Sequence, residues 1–129
     1  MSSTKAAILS PNAPAPSPLM SQGIIINGTI YCSGSLGIDP KTGKFVDGDA
    51  SDRTVEPPYL YTTHHHIEIC PANIDIKVQA LGNLEEVLKS GGSDLSKVVK
   101  VTIFLSSMQH YTKVNEGYGK VFNDGVKPV

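Results

Sequence analysis

Cysteine is scarce in this chain. Cys32 and Cys70 are the two cysteines among 129 residues. That is too few for the disulfide framework of a small secreted domain, so free thiols inside a cell are expected. Long apolar runs are missing too. No stretch approaches the ~20 apolar residues that a helix needs to cross a bilayer. The first 18 residues carry one lysine, no arginine and no apolar run of signal-peptide length, so neither a secretory nor a mitochondrial leader is indicated. The cytosol is the default compartment, with the mitochondrion as the alternative. Charge of one sign is also not in excess. A formal net charge of -1, with lysines scattered rather than striped, gives no electrostatic footprint for nucleic acid or an anionic membrane.

What is present suits a globular protein. The hydrophobic fraction is 40% and the charged fraction 18%. A chain of this length buries one core rather than two, so residues 1–129 are read as a single domain. Ala6 to Leu9 can form a short strand. Pro11, Pro14, Pro16 and Pro18 then hold the chain extended and keep it out of helix interiors and central strands. Gly23–Ile26 and Thr29–Cys32 are β-rich runs joined by Asn27-Gly28, which supplies the two positive φ angles of a type I′ hairpin turn. A turn at Asp39-Pro40-Lys41-Thr42-Gly43 leads into a brief Lys44-Phe45-Val46 run.

Regularity is lost from about Ala50 to Ile74, where no period of 2 or 3.6 is sustained. It returns at Asp75. Ala80, Leu81, Leu84, Val87 and Leu88 form an apolar helical stripe, and Gly91-Gly92 stops the helix. Lys97 to Leu105 is β-branched and reads as a strand covered on both faces, with Val99, Val101, Ile103 and Leu105 on one of them. Ser106-Ser107 offers an N-cap for a second helix, whose stripe is Tyr111, Val114, Tyr118, Val121 and Phe122. The two tyrosines are expected in the core or an interface. Two helices on one face of a mixed sheet make an α+β layer architecture.

Two motifs resemble a known family. The run from Ser21 to Asp49, with its Ser-Gln start, Asn-Gly hairpin, Ser-Gly pair and Pro-Lys-Thr-Gly turn, is similar to the N-terminal half of the RidA (YjgF/YER057c-type) family. The run from Gln79 to Phe122, with Val-Asn-x-x-Tyr inside it, resembles that family's helix, strand and second helix. The match extends over roughly residues 1–49 and 75–127. The resemblance implies a chorismate-mutase-like α+β fold and a homotrimer with clefts between subunits. It implies hydrolysis of reactive 2-imino or enamine acids to 2-keto acids and ammonia, without metal or organic cofactor, with an imino or enamino acid as the small-molecule partner and neither nucleic acid nor membrane.

Carried over residue by residue, Ser33, Gly34 and Asn115 match cleft-lining positions of the family, and no catalytic residue is assigned. Met20 stands where the family has a tyrosine. The family's Pro-Ala-Arg segment would begin at Pro128, and the sequence stops at Val129. A carboxylate-binding arginine, a late glutamate and two C-terminal strands are therefore expected to be missing, and the deaminase activity impaired. Residues 50–74 are read as an insertion, a loop without a family counterpart. An imperfect gene model would account for both departures. Two alternatives accompany the deaminase reading: a non-catalytic member that binds a small ligand or a protein at its clefts, and a ribonuclease or translation inhibitor, which the near-neutral charge disfavours.

The remaining candidates carry less. His64, His66, Glu68 and Cys70 would share one face of a strand, and their types suit Zn²⁺. The Pro-Cys-x-x-Cys half of a zinc nucleobase deaminase is missing, because Cys70 precedes Pro71 and no cysteine follows. No metal is expected there. Cys32 is expected to be a buried, inert thiol. Ser33 lacks a triad context and is read as a cleft-lining hydroxyl. Asn115, inside a helix, is expected to bond a neighbouring group.

Overall fold

A computed structural model describes residues 4–46, 74–104, 108–123 and 125–129. The expected insertion and its His64, His66, Glu68 and Cys70 lie outside the described residues, as do Leu105 and the Ser106-Ser107 cap.

Three strands, β1 (Ala6–Ile8), β2 (Gly23–Ile26) and β3 (Thr29–Cys32), pair antiparallel in the order β1-β2-β3. The β2–β3 hairpin turns where the sequence predicts. Asn27 and Gly28 hold φ of 51° and 73°, the mirror-image turn that follows the right-handed twist of the strands. The register aligns Gly23 with Cys32 and Ile25 with Ile30, and β1 sets Ile8 opposite Gly23. Ile8, Ile25, Ile30 and Cys32 thereby share one face, and Val87 of the first helix packs on it.

That helix, α1 (Ile74–Ser90), buries Ala80, Leu81, Leu84, Val87 and Leu88, the stripe that the sequence predicts. The leucines and Val87 each contribute about 1.5–3 kcal/mol by leaving water. Its C-terminus is closed by glycine. Gly92 sits at φ 78°, its N–H donates to Lys89 O at 3.0 Å, and the Ser93 N–H donates to Leu88 O at 2.9 Å. These are the paired bonds of a Schellman stop. The second helix, α2 (Tyr111–Val121), packs against α1, and Phe122 just beyond it joins Ala80, Leu81 and Leu84 in a common core. The fold is α+β.

One expectation on this side of the molecule needs correction. Lys97 to Phe104, the described part of the expected strand, is not a strand. Leu95–Lys97 is a 3-10 turn, and residues 98–104 carry no ladder. β-propensity makes a strand only where a neighbouring backbone accepts its hydrogen bonds. Here one rung forms: Val129 N–H donates to Val99 O and Val101 N–H donates to Val129 O, both at 3.0 Å. Nor are both faces covered, since Val99 is 61% exposed, although Val98, Val101 and Ile103 pack on the core. The second helix, α2, begins beyond the Ser106-Ser107 cap, which lies outside the described residues. It is preceded by a 3-10 turn, Met108–His110, and capped by His110 without a side-chain bond. Val114 and Phe122 of its predicted stripe are buried and Tyr118 is half-buried against Phe122, but Tyr111 is exposed.

Candidate functional site

Where the chain leaves β3, Ser33 and Gly34 line a pocket of about 190 Å³. The proline-rich stretch closes one side, with Pro14, Pro16 and Met20, and Leu84 and Val87 of α1 form its apolar back. None of the described residues lining the pocket is charged.

Three polar side chains hold these walls in place. Gln22 is buried and works like a backbone group. Its Oε1 accepts from Ser10 N–H at 2.5 Å, and its Nε2 donates to Ser10 O at 3.1 Å and Pro14 O at 2.8 Å. The prolines cannot extend a ladder, and the carboxamide anchors them instead. Asn83 is 3% exposed and donates to Leu36 O at 3.0 Å and Ile38 O at 2.9 Å. Its Oδ1 accepts from Gln79 Nε2 at 2.9 Å. The loop after Ser35 is thus pinned to α1. Ser35 Oγ adds a bond to Ala80 O at 2.9 Å.

Ser33 has a defined polarity. Its N–H donates to Gln22 O at 3.0 Å, and its hydroxyl donates to Ser21 O at 2.5 Å. With its one proton engaged, Oγ offers only lone pairs to anything entering the pocket. The adjacent Gly34 N–H has no hydrogen-bond partner among the described residues. An acceptor and a donor therefore stand side by side in an uncharged cleft, an arrangement that can orient a small polar molecule.

The structure brings Ser33, Gly34 and Met20 together at this pocket, and it does not bring Asn115 to them. Asn115 is exposed on α2, and its side chain makes no hydrogen bond among the described residues. No partner for it stands among the described residues, since that face of α2, shared with the exposed Tyr111 and Gly119, is open. Gln22 and Asn83 escaped the sequence reading. For Asn83 a signal existed: a carboxamide within the apolar stripe of α1, next to Leu84 and three residues from Ala80.

Cys32, beside this site on β3, is half-buried rather than buried as expected. Burial pushes its thiol up to about 11, the direction of an inert cysteine. No group of three or more metal-ligating side chains occurs among the described residues. No described helix is long and apolar enough to cross a membrane.

Residues 63–129 match the family model described as Endoribonuclease L-PSP. The chain is 32% identical to the RutC family protein PH0854 of Pyrococcus horikoshii, over 93% of this chain and 77% of that protein. It is 36% identical to Reactive Intermediate Deaminase A, chloroplastic, of Arabidopsis thaliana, over 92% of this chain and 51% of that protein. With 2-iminobutanoate/2-iminopropanoate deaminase of Rattus norvegicus it shares 33% identity, over 85% of this chain and 64% of the relative. The chain thus spans between half and two thirds of the length of the latter two relatives. Among solved structures, a Rid-family protein from Yersinia pestis superposes with a TM-score of 0.76 at 28% identity, covering 98% of this chain and 82% of that one. A putative endoribonuclease L-PSP from Entamoeba histolytica gives a TM-score of 0.75 at 30% identity, with coverages of 98% and 82%.

Proposed function

Since the chain belongs to the RidA family, whose model is described as Endoribonuclease L-PSP, we propose that it hydrolyses reactive 2-imino or enamine acids to 2-keto acids and ammonia. The observation that carries this reading is the pairing of Ser33 Oγ, an acceptor only, with a Gly34 N–H that has no partner among the described residues, in a pocket that fits a few-carbon acid. The Gly34 N–H donates to the substrate carboxylate, and Ser33 Oγ accepts from the imine N–H. Water adds to the electrophilic imine carbon, its proton passes to nitrogen, and the tetrahedral intermediate collapses by expelling ammonia as the carbonyl forms. The relatives named as deaminases support the substrate class.

Turnover by this chain is slow. Among the described residues lining the pocket there is no cation for the carboxylate and no acid or base for the proton transfers. A charge-assisted bond is worth about 1.5–3 kcal/mol, and general acid–base help about 10²–10⁴-fold in rate. Met20 supplies neither. The active assembly is a homotrimer, in which the exposed Asn115 of one subunit lines a neighbour's pocket.

The test generates an imine from an L-amino acid with an amino-acid oxidase and follows 2-keto acid release above the rate in buffer. A modest acceleration is expected. It falls at least tenfold in Ser33→Ala and rises in Met20→Tyr. A rate equal to buffer for both the chain and Met20→Tyr overturns the deaminase reading. The uncharged lining favours a second reading for that outcome, in which the same pocket binds a small acid without turning it over.

A further inference from the structure

Gly34 is the donor on which the proposed chemistry depends, and its two neighbours are tied to different parts of the fold. On one side Ser33 is bound by its N–H to Gln22 O and by its hydroxyl to Ser21 O. On the other, Ser35 Oγ donates to Ala80 O of α1 at 2.9 Å. The chain then runs through Leu36, Gly37 and Ile38, and there its carbonyls alternate in direction. Gly37 O accepts from Val46 N–H at 3.0 Å. Leu36 O and Ile38 O accept from Asn83 Nδ2 at 3.0 and 2.9 Å. That alternation is the pattern of an extended strand. Val46 is its neighbour on one side, and a single side chain of α1 takes the neighbour's place on the other.

Asn83 can fill that place in one orientation. Its two amide protons go to the two carbonyls, and its Oδ1 accepts from Gln79 Nε2 at 2.9 Å. Turning the carboxamide over would set Oδ1 against two carbonyl oxygens and Nδ2 against another donor. Leu84, next along the helix, belongs to the apolar back of the pocket. Asn83 therefore fixes the loop after Gly34 relative to the helix that forms the pocket's opposite wall.

We propose that Asn83 is a positioning residue for the substrate: through the carbonyls of Leu36 and Ile38 it holds the Gly34 N–H at the angle, and at the distance from Leu84, at which it meets the substrate carboxylate. The role rests on the reading of this pocket as the acid-binding site. Asn83 touches no reacting atom. Without its carboxamide Ser33 stays tied, while the loop keeps, among the described hydrogen bonds to α1, that of Ser35. Glycine between them regains the rotation that its missing Cβ permits. A hydrogen bond weakens steeply once the donor turns away from the acceptor, so the loss falls on binding rather than on the bond-making step.

The test titrates the full chain with 2-oxobutanoate, the keto acid that hydrolysis of 2-iminobutanoate yields, and follows the amide NMR shift of Gly34. In Asn83→Ala and Asn83→Asp the dissociation constant should rise about tenfold, and in imine hydrolysis KM should rise while kcat changes less than about twofold. Ile25→Thr, which loosens the fold away from the pocket, should leave binding unchanged and so separates lost stability from lost positioning. Ser35→Ala, a milder cut in the same loop, should weaken binding about threefold and decides the matter if the asparagine variants do not fold. The proposal is overturned if Asn83→Ala binds as tightly as the unaltered chain, if Ile25→Thr weakens binding as much, or if Ser35→Ala keeps full affinity. Binding that depends on Asn83 without imine hydrolysis upholds the proposal and overturns the deaminase reading. Hydrolysis that is indifferent to Asn83→Ala does the reverse, and an unaltered chain whose Gly34 amide ignores the keto acid overturns both.

Discussion

The hairpin Gly23–Cys32 and the segment Val98–Phe104 are both rich in β-branched residues, yet the first is a two-stranded ladder and the second is not. The hairpin finds its partner two residues away, through a turn its own sequence dictates. Among the described residues, the later segment has no adjacent strand and bonds to Val129 through Val99 and Val101. Propensity is the same in both regions, and the availability of a partner backbone decides the outcome. The two regions meet in one core, where Cys32 and Val101 pack against the cluster of Ala80, Leu81, Leu84 and Phe122.

That shared core offers the largest lever on the comparison. Leu84→Ala removes a fully buried side chain and should cost about 2–5 kcal/mol. Urea unfolding followed by circular dichroism measures the loss, and amide exchange should rise in the hairpin and in residues 98–104 together. A rise in one region alone would show that they do not unfold as a unit.

Cys32 gives a pH handle on the same junction. Its folded-state pKa, about 11, lies above the ordinary value of 9.0. The neutral thiol therefore favours the fold, with its contribution complete below pH 9. That contribution disappears as pH rises from about 9 to 11, by roughly 2 kcal/mol. Cys32→Ser, whose hydroxyl does not titrate there, should flatten this part of the stability profile. An unchanged slope would refute the assignment.

Asn83→Ala should cost about 1–3 kcal/mol, because the carbonyls of Leu36 and Ile38 lose their donor. The readout is a lowered urea midpoint and faster proteolysis around residues 36–38. Asn83→Asp keeps the shape but removes the donors, and should be no better than alanine.

The smallest effect makes the sharpest contrast between the regions. Val99→Thr, at a position 61% exposed, should shift stability by less than about 0.5 kcal/mol. Ile25→Thr, inside the sheet and packed against the core of the first region, should cost at least about 1 kcal/mol. Equal costs would mean that residues 98–104 are as well packed as the hairpin.

These contrasts also mark what the sequence could convey. The turn at Asn27-Gly28, the buried stripe of α1 and the stop at Gly92 rest on local chemistry and periodicity, and all three are observed. The strand at 97–105 required a partner that no local pattern specifies. Ser33 and Gly34 were legible through family likeness, and they share a pocket. Asn115 was named by the same likeness, yet within one chain it stands apart, since likeness identifies residue types and not the surface that closes over them. Gln22 and Asn83 act on carbonyls and amides far along the chain, and sequence spacing does not announce such bonds.

The Gln22 clamp has a consequence for how the molecule reaches its fold. Its carboxamide reads Ser10 by both its N–H and its C=O, requiring a donor and an acceptor on that residue. If β1 slid by one residue, the carboxamide would meet either Pro11, which has no N–H to offer, or Leu9, whose side chain would turn to the opposite face. Misaligned β1 strands therefore fail a proofreading step that the hairpin alone could not impose, and a single glutamine edits the pairing of a strand it does not belong to.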